Sequence, residues 1–319
     1  MANDREVTHD TVWRSVYPVG VLSPLTYFQA VVMGLLQGVT ELFPISSLGH
    51  SVLIPSLLGW HNLVGAQSQS TSFFLAFIVG LHVGTALGLL VYYRRTWIEL
   101  FAGLVAQLRG ARERGASSLW RLNAPGTNPR YRLLAMLVLA SIPVGLVGVV
   151  FEKKLRVLFA KPLAAAVFLT INGLILLVGE QLRRGQGRHA RHRHLATMSP
   201  LGAFAIGSSQ ILALFAGISR SGVSMVAGLL GRYDHEESAR FSFLLATPVI
   251  LAAGVLKLPD LMGSLGNGVR TQTLVGALFA AFAAYFSVRF LVRWFTTKTL
   301  TPFGLYCLGV GAFCIAHFA

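Results

Sequence analysis

Apolar residues run for the length of a bilayer crossing at six places in the chain: 73–93, 133–151, 163–178, 241–256, 272–288 and 303–318. A hydrocarbon core about 30 Å thick asks for roughly 20 residues of helix, so each run predicts a transmembrane helix, some at the short end. Two further stretches, 25–63 and 200–230, are apolar but interrupted in the middle by Gly, Pro and strings of polar residues. The first string is Gln37-Gly38-Val39-Thr40-Glu41, running on to Ser46-Ser47-Leu48-Gly49-His50; the second is Gly217-Ile218-Ser219-Arg220-Ser221-Gly222. Each stretch predicts a pair of half-helices that enters the membrane and turns back, because non-helical backbone at that depth must be buried in protein or line a wet cavity.

The two stretches resemble each other. Displacing the sequence by 173 positions sets Gly34 on Gly207, Gln37 on Gln210, and Ile45, Ser46 and Gly49 on Ile218, Ser219 and Gly222. A displacement of 170 lays 72–76 over 242–246. The pattern predicts a duplicated chain: a polar extension 1–24, then one membrane domain 25–319 made of two repeats, about 25–181 and 200–319, joined by a basic loop 182–199. Three full spans and one re-entrant pair per half put the second half upside down relative to the first. The expected fold is therefore an all-α polytopic membrane protein with an inverted-topology repeat, whose broken helices meet at a central site.

Composition agrees: 54% of residues are hydrophobic and 12% charged. Arginines collect in 94–132 (Arg94, Arg95, Arg109, Arg112, Arg114, Arg121, Arg130, Arg132) and in 182–199 (Arg183, Arg184, Arg188, Arg191, Arg193), with Arg232, Arg240, Arg289, Arg293 and Lys298 on the same side. Basic residues favour the cytoplasmic side, so the first string is expected to open to the outer face and both termini to lie outside. The net charge of +15 is then a basic inner face against anionic membrane lipids and needs no nucleic acid. His189, His192 and His194 belong to the same solvated loop, and 94–132 reads as an enlarged cytoplasmic loop. Residues 1–24 lack the apolar segment of a secretory signal. Cys307 and Cys314 share one apolar run and read as buried thiols. Asp234 and Glu237 have the spacing of a capping box opening the helix of Phe241.

An ionisable side chain at membrane depth costs about 2.5–3.5 kcal/mol, which makes Glu41, His50 and Arg220 functional candidates. His82, alone in an apolar run, reads as a packed residue.

The run from Gln37 to His50, paired with 217–222, resembles the two signature motifs of the undecaprenyl diphosphate phosphatases, the bacitracin-resistance family of bacterial membranes. The fragments His82-Val-Gly84-Thr85, Phe241-Ser-Phe-Leu-Leu-Ala246 and Pro302-Phe303 add to it, and the resemblance spans nearly the whole chain from residue 25 to 318. It implies an enzyme of the bacterial inner membrane that hydrolyses undecaprenyl diphosphate to the monophosphate and inorganic phosphate at the outer face, with the polyprenyl diphosphate lipid as its partner. It also implies a divalent cation, Mg²⁺ or Ca²⁺, with Glu41 and Gln37 as candidate ligands. Gln37 stands where many members carry a glutamate, Ala216 replaces a usual proline, Leu48 a small hydroxyl residue, and Cys307 a common arginine; the first of these weakens the cation site.

The residue types suit the chemistry. Phosphoryl transfer is catalysed by positioning and by neutralising charge on the non-bridging oxygens. Arg220 offers a planar fork of donors, flanked by the hydroxyls of Ser219 and Ser221, with Ser46 and Ser224 as helpers in holding phosphate. His50 is the candidate general base, oriented by Glu41. The phosphoryl acceptor is left open between Ser47, a water and His50, with Ser47 favoured. A transporter, flippase or non-catalytic binder of a polyprenyl phosphate is the rival reading; it needs the arginine and hydroxyls but no Ser47–His50 pair in hydrogen-bond reach. The oligomeric state is not fixed by the sequence, which permits a homodimer.

Overall fold

A computed structural model describes residues 25–67, 73–124, 126–159, 161–185 and 194–319. The extension 1–24 and the middle of the basic loop, with His189 and His192, lie outside the described residues. The chain is built from α1 (Tyr27–Thr40), α2 (Ser47–Leu57), α3 (His61–Gln67), α4 (Phe73–Tyr92), α5 (Arg94–Arg114), α6 (Pro129–Phe159), α7 (Pro162–Gly185), α8 (Pro200–Ser209), α9 (Arg220–Leu230), α10 (His235–Met262), α11 (Arg270–Trp294) and α12 (Thr301–Phe318). Six segments are long and apolar enough to cross a membrane: Phe73–Tyr92, Pro129–Phe151, Pro162–Gly185, His235–Leu256, Arg270–Trp294 and Thr301–Phe318. These are the six runs of the sequence, most of them extended by polar ends, and they make this a multi-pass membrane protein. α1 and α8 are apolar but too short to cross.

Small residues set the packing. Side chains at Gly34 and Gly38 of α1 would strike the backbone of α11 at Gly276 and Ala280, and side chains at Gly84 and Gly88 of α4 would strike it at Ala277 and Ala281. With lipid rather than water around the helices, close van der Waals approach of this kind supplies the association that the hydrophobic effect cannot. α11 is thus wedged between α1 and α4, while α8 lies on α6 through Gly207 against Ala140 and α7 lies on α12 through Gly173 against Gly304.

Segment 94–132 differs from the loop expected of it. Residues 94–114 form a helix, α5, that buries Trp97, Leu100, Gln107 and Ala111 and exposes a stripe of Ile98, Phe101, Val105 and Leu108. Arginines at both ends of the segment lower its overall hydropathy and hide the helical spacing; a helix with an exposed apolar stripe between arginines is the pattern of an element lying in the membrane interface. At α10, Asp234 does cap the helix, its carboxylate accepting from Glu237 N at 2.7 Å. The reciprocal half of the box is absent, because the Glu237 carboxylate faces His194 at 3.5 Å instead.

Candidate active site

Both polar strings fall where one short helix ends and the next begins. Pro44 has no N–H to continue α1, and Ser46 turns the chain with φ 70°. That backbone region costs a non-glycine residue about 1–3 kcal/mol and persists only where its surroundings hold it. Ser46 is held as the N-cap of α2: its Oγ accepts from Gly49 N and from Gly217 N, both at 3.2 Å. The second of these bonds joins the two strings. In the other string Ser219 caps α9, its Oγ accepting from Gly222 N at 3.1 Å. Ser47 and Arg220 are consequently the first residues of α2 and α9. Helix N-termini present unpaired N–H groups and the positive end of the helix dipole, a combination that suits an anion.

Asn172, fully buried in α7, braces this junction. Its Nδ2 donates to Pro44 O at 3.0 Å and lies 3.3 Å from Cys307 Sγ, while its Oδ1 accepts from Ser219 N at 2.9 Å. Replacing Asn172 by leucine strands the buried Ser219 N, worth about 1–3 kcal/mol, and leaves Pro44 O only the long contact from Cys307 Sγ at 4.0 Å. A lowered melting temperature of the detergent-purified variant is the expected result.

Glu41 is the hub of the polar cluster. Its Oε1 accepts from Arg220 at 2.6 Å. Its Oε2 accepts from Gln37 Nε2 at 3.0 Å and from the Ser47 hydroxyl at close range, and lies 3.3 Å from His82 Nε2. Glu41, Ser46, Ser47, His82, Ser219 and Arg220 line one end of a cavity of about 550 Å³. The rest of its lining is mostly apolar, with Ile78 and Val79 from α4, Val144, Gly148 and Val149 from α6, and Pro248, Val249 and Leu256 from α10; Ser51, Gln67, Ser141 and Gln210 are the polar exceptions. Val149 is 74% and Leu256 65% exposed, so the cavity reaches the surface that faces lipid. The first half of α4 and the second halves of α6 and α10 supply these walls, away from Arg94, Arg130 and Arg240 at the opposite ends of the same spans.

The remaining expected residues stand behind the cavity. Ser221 Oγ pairs with Ser219 Oγ at 3.0 Å, and Ser224 Oγ donates to Arg220 O at 2.8 Å and meets Ser242 Oγ at 2.7 Å, so both brace α9. His50 departs from expectation. Its Nδ1 is 2.7 Å from Ser46 O and its Nε2 is 2.9 Å from Tyr306 Oη, the two rings lying nearly parallel. The N-cap carbonyl and a tyrosine from α12 take both ring nitrogens. The histidine that Glu41 meets is His82, which is therefore more than a packed residue; an ionisable group in an apolar run carries the same cost there as Glu41 does. Asn172 and Gln210, which also lines the cavity, are uncharged and sent no such signal.

The donor set does not fit a divalent cation held by the protein. Hard cations ask for six or more oxygens, preferably anionic. The cavity contains one carboxylate, already approached by four donors, and Gln37 turns its amide nitrogen to it; the Gln37 Oε1 is buried without a partner outside the cavity lining. Among the described residues no cluster of three His, Cys, Asp or Glu is placed to hold a metal.

Comparison with known proteins gives the chain a family. The family model of the bacitracin resistance protein BacA matches residues 30–313. The protein named undecaprenyl-diphosphatase 2 of Frankia alni is 47% identical over 351 residues, covering 92% of this chain and 98% of the relative. The undecaprenyl-diphosphatase of Mycolicibacterium paratuberculosis is 45% identical over 305 residues, covering 90% and 95%. Undecaprenyl-diphosphatase 2 of Chromobacterium violaceum is 43% identical over 288 residues, covering 89% and 95%. With a match of this extent, and with both strings of the family's motifs gathered at one cavity, the chain belongs to the bacitracin resistance protein BacA family.

Proposed function

We propose that this protein hydrolyses undecaprenyl diphosphate to undecaprenyl phosphate and inorganic phosphate, and so recycles a lipid carrier of cell-wall synthesis and confers bacitracin resistance. The observation that carries the reading is the Ser47 hydroxyl on the Glu41 carboxylate, beside Arg220, at the polar end of a cavity whose apolar walls open toward lipid. A carrier needs the cation and the apolar groove; a hydroxyl already bonded to a carboxylate acceptor is the equipment of a nucleophile.

The steps follow from that contact. Ser47 Oγ attacks the terminal phosphorus while its proton passes to Glu41 Oε2. The bond from that phosphorus to the bridging oxygen breaks, its electron pair leaving with undecaprenyl phosphate. Water then adds to the phosphoserine, the P–Oγ bond breaks, Ser47 regains a proton and inorganic phosphate leaves. Arg220 and the N-termini of α2 and α9 stabilise the non-bridging oxygens as charge builds on them. Glu41, rather than His50, is the proton acceptor in this scheme, because it is the group that Ser47 reaches.

The location of the site belongs to the same proposal. The cavity occupies the halves of α4, α6 and α10 remote from Arg94, Arg130 and Arg240; Lys153, Lys154, Arg156 and Lys257 lie at the cavity ends of α6 and α10, but the larger collection of basic residues is on the other side, which supports an outward-facing site in the inner membrane. The exchange of partners between the halves, α1 on α11 and α8 on α6, supports the inverted repeat.

Phosphate release from undecaprenyl diphosphate by the purified protein in detergent tests the function. Sustained release is the expected outcome. Protein that binds the lipid and releases none overturns the enzyme reading in favour of a carrier.

A further inference from the structure

We propose that His82 is a positioning residue, held as a second cation that offsets Glu41 and so leaves the charge of Arg220 available to a diphosphate. The inference rests on the phosphatase reading and begins from charge. Three ionisable side chains line the cavity: Glu41, His82 and Arg220. Arg220 lies 2.6 Å from Glu41, and a matched pair of that kind has no net charge to attract an anion. A site made only of these two would meet the several negative charges of a diphosphate as a neutral surface.

The hydrogen bonds of His82 supply the missing charge. Its Nδ1 is 2.8 Å from Ile78 O. A carbonyl oxygen only accepts, so Nδ1 carries a hydrogen. Its Nε2 is 3.3 Å from Glu41 Oε2. A neutral ring protonated at Nδ1 would set the Nε2 lone pair against a carboxylate oxygen, whereas the imidazolium donates at both nitrogens. The like charge near it is Arg220, which opposes a second cation but lies on the other oxygen of the same carboxylate; α11 meets α4 with Thr273, Ala277 and Ala281, and α10 with Gly254 against Val83, which add no charge. With His82 as a cation the cluster carries one net positive charge. The same contact fixes Glu41 Oε2 where the Ser47 hydroxyl donates to it, so His82 acts on the reaction through Glu41. It also gives a physical reason for the poor fit of a divalent cation: the neutralising charge is already built from side chains.

The experiment compares wild type, His82→Gln and His82→Lys, all in EDTA, by calorimetric binding of farnesyl diphosphate and by phosphate release from undecaprenyl diphosphate. Glutamine keeps a donor of similar reach without charge; lysine keeps the charge without the shape. His82→Gln is expected to weaken binding and raise KM by about tenfold, the order expected for one charge at a partly screened distance, with a smaller change in kcat. His82→Lys is expected to recover most of the binding. A structural role predicts the reverse order, so a His82→Gln protein that binds normally, or two variants equally defective at an unchanged melting temperature, overturns the proposal. A second readout is the ¹⁵N-histidine spectrum of the wild type near neutral pH, expected to hold one ring protonated at both nitrogens that His82→Gln lacks; a spectrum with neutral rings only overturns the proposal even where the variants fail to fold. Wild type that binds farnesyl diphosphate without releasing phosphate would sink the phosphatase reading alone, since the binding arm still decides the role of His82. Wild-type binding that requires added Mg²⁺ would sink the inference alone.

Discussion

Ser47→Ala is expected to lower phosphate release from undecaprenyl diphosphate by about a thousandfold or more, while the purified protein keeps its melting temperature and still binds a prenyl diphosphate. Losing an activated nucleophile removes the covalent route entirely, and losses of this size and larger are typical when the attacking group of an enzyme is deleted. The fold loses little by comparison, since the hydroxyl makes one side-chain bond, to Glu41. Trapping of a phosphoserine from the wild type, absent in Ser47→Ala, is the matching positive result. Retained turnover in Ser47→Ala would assign the attack to water. Arginine removal is a poorer probe: Arg220→Ala leaves Glu41 as a buried charge short of its closest charged partner, a defect worth about 3–5 kcal/mol in its own right. His50→Ala is expected to fall between these cases, losing the ties to Ser46 O and Tyr306 and therefore stability before chemistry.

Gly217→Ala is expected to destabilise the protein by about 2–5 kcal/mol, adding the strain of a side chain at positive φ to the cost of overpacking. Gly217 has φ +117°, and a Cβ there would sit 2.5 Å from Ala165 O, 2.6 Å from Leu169 N and 2.6 Å from Phe168 Cβ. Two of those atoms are backbone of α7. That helix has no room to retreat, because it is packed on α12 with Gly173 against Gly304 O. The shift would also disturb the Gly217 N to Ser46 Oγ bond that ties the two strings. Gly145→Ala is the control: it lies on the cavity wall of α6 with open space around it, and no loss of melting temperature is expected.

The spans were legible in the sequence because a bilayer imposes a length and a composition that few other structures satisfy. Glu41 and Arg220 were each legible as candidates for a similar reason: charge at membrane depth is expensive enough to be conspicuous. What failed was inference from neighbourhood along the chain. Ser47 and His50 are three residues apart and invite a nucleophile–base reading, yet the partner that claims His50 Nε2 is Tyr306, 256 residues away. Glu41 likewise finds its histidine on α4 rather than inside its own motif. Asn172 was invisible because an uncharged side chain in an apolar helix departs too little from its surroundings, and only the folded chain places it between Pro44 and Ser219. A displacement of 173 residues also sets Ser47 on Arg220. The hydroxyl and the guanidinium at the two helix N-termini thus occupy matching positions in the two polar strings.

Val149 and Leu256, which line the cavity and also face outward, determine how encounters with substrate are counted. A prenyl chain that slips in sideways between α6 and α10 never crosses water, so collisions occur in a plane and depend on molecules per unit area of membrane. The operative KM is then a mole fraction in the lipid phase. Diluting the substrate with inert detergent at constant bulk concentration slows the reaction, while enlarging the aqueous volume around the same micelles leaves its rate per protein unchanged.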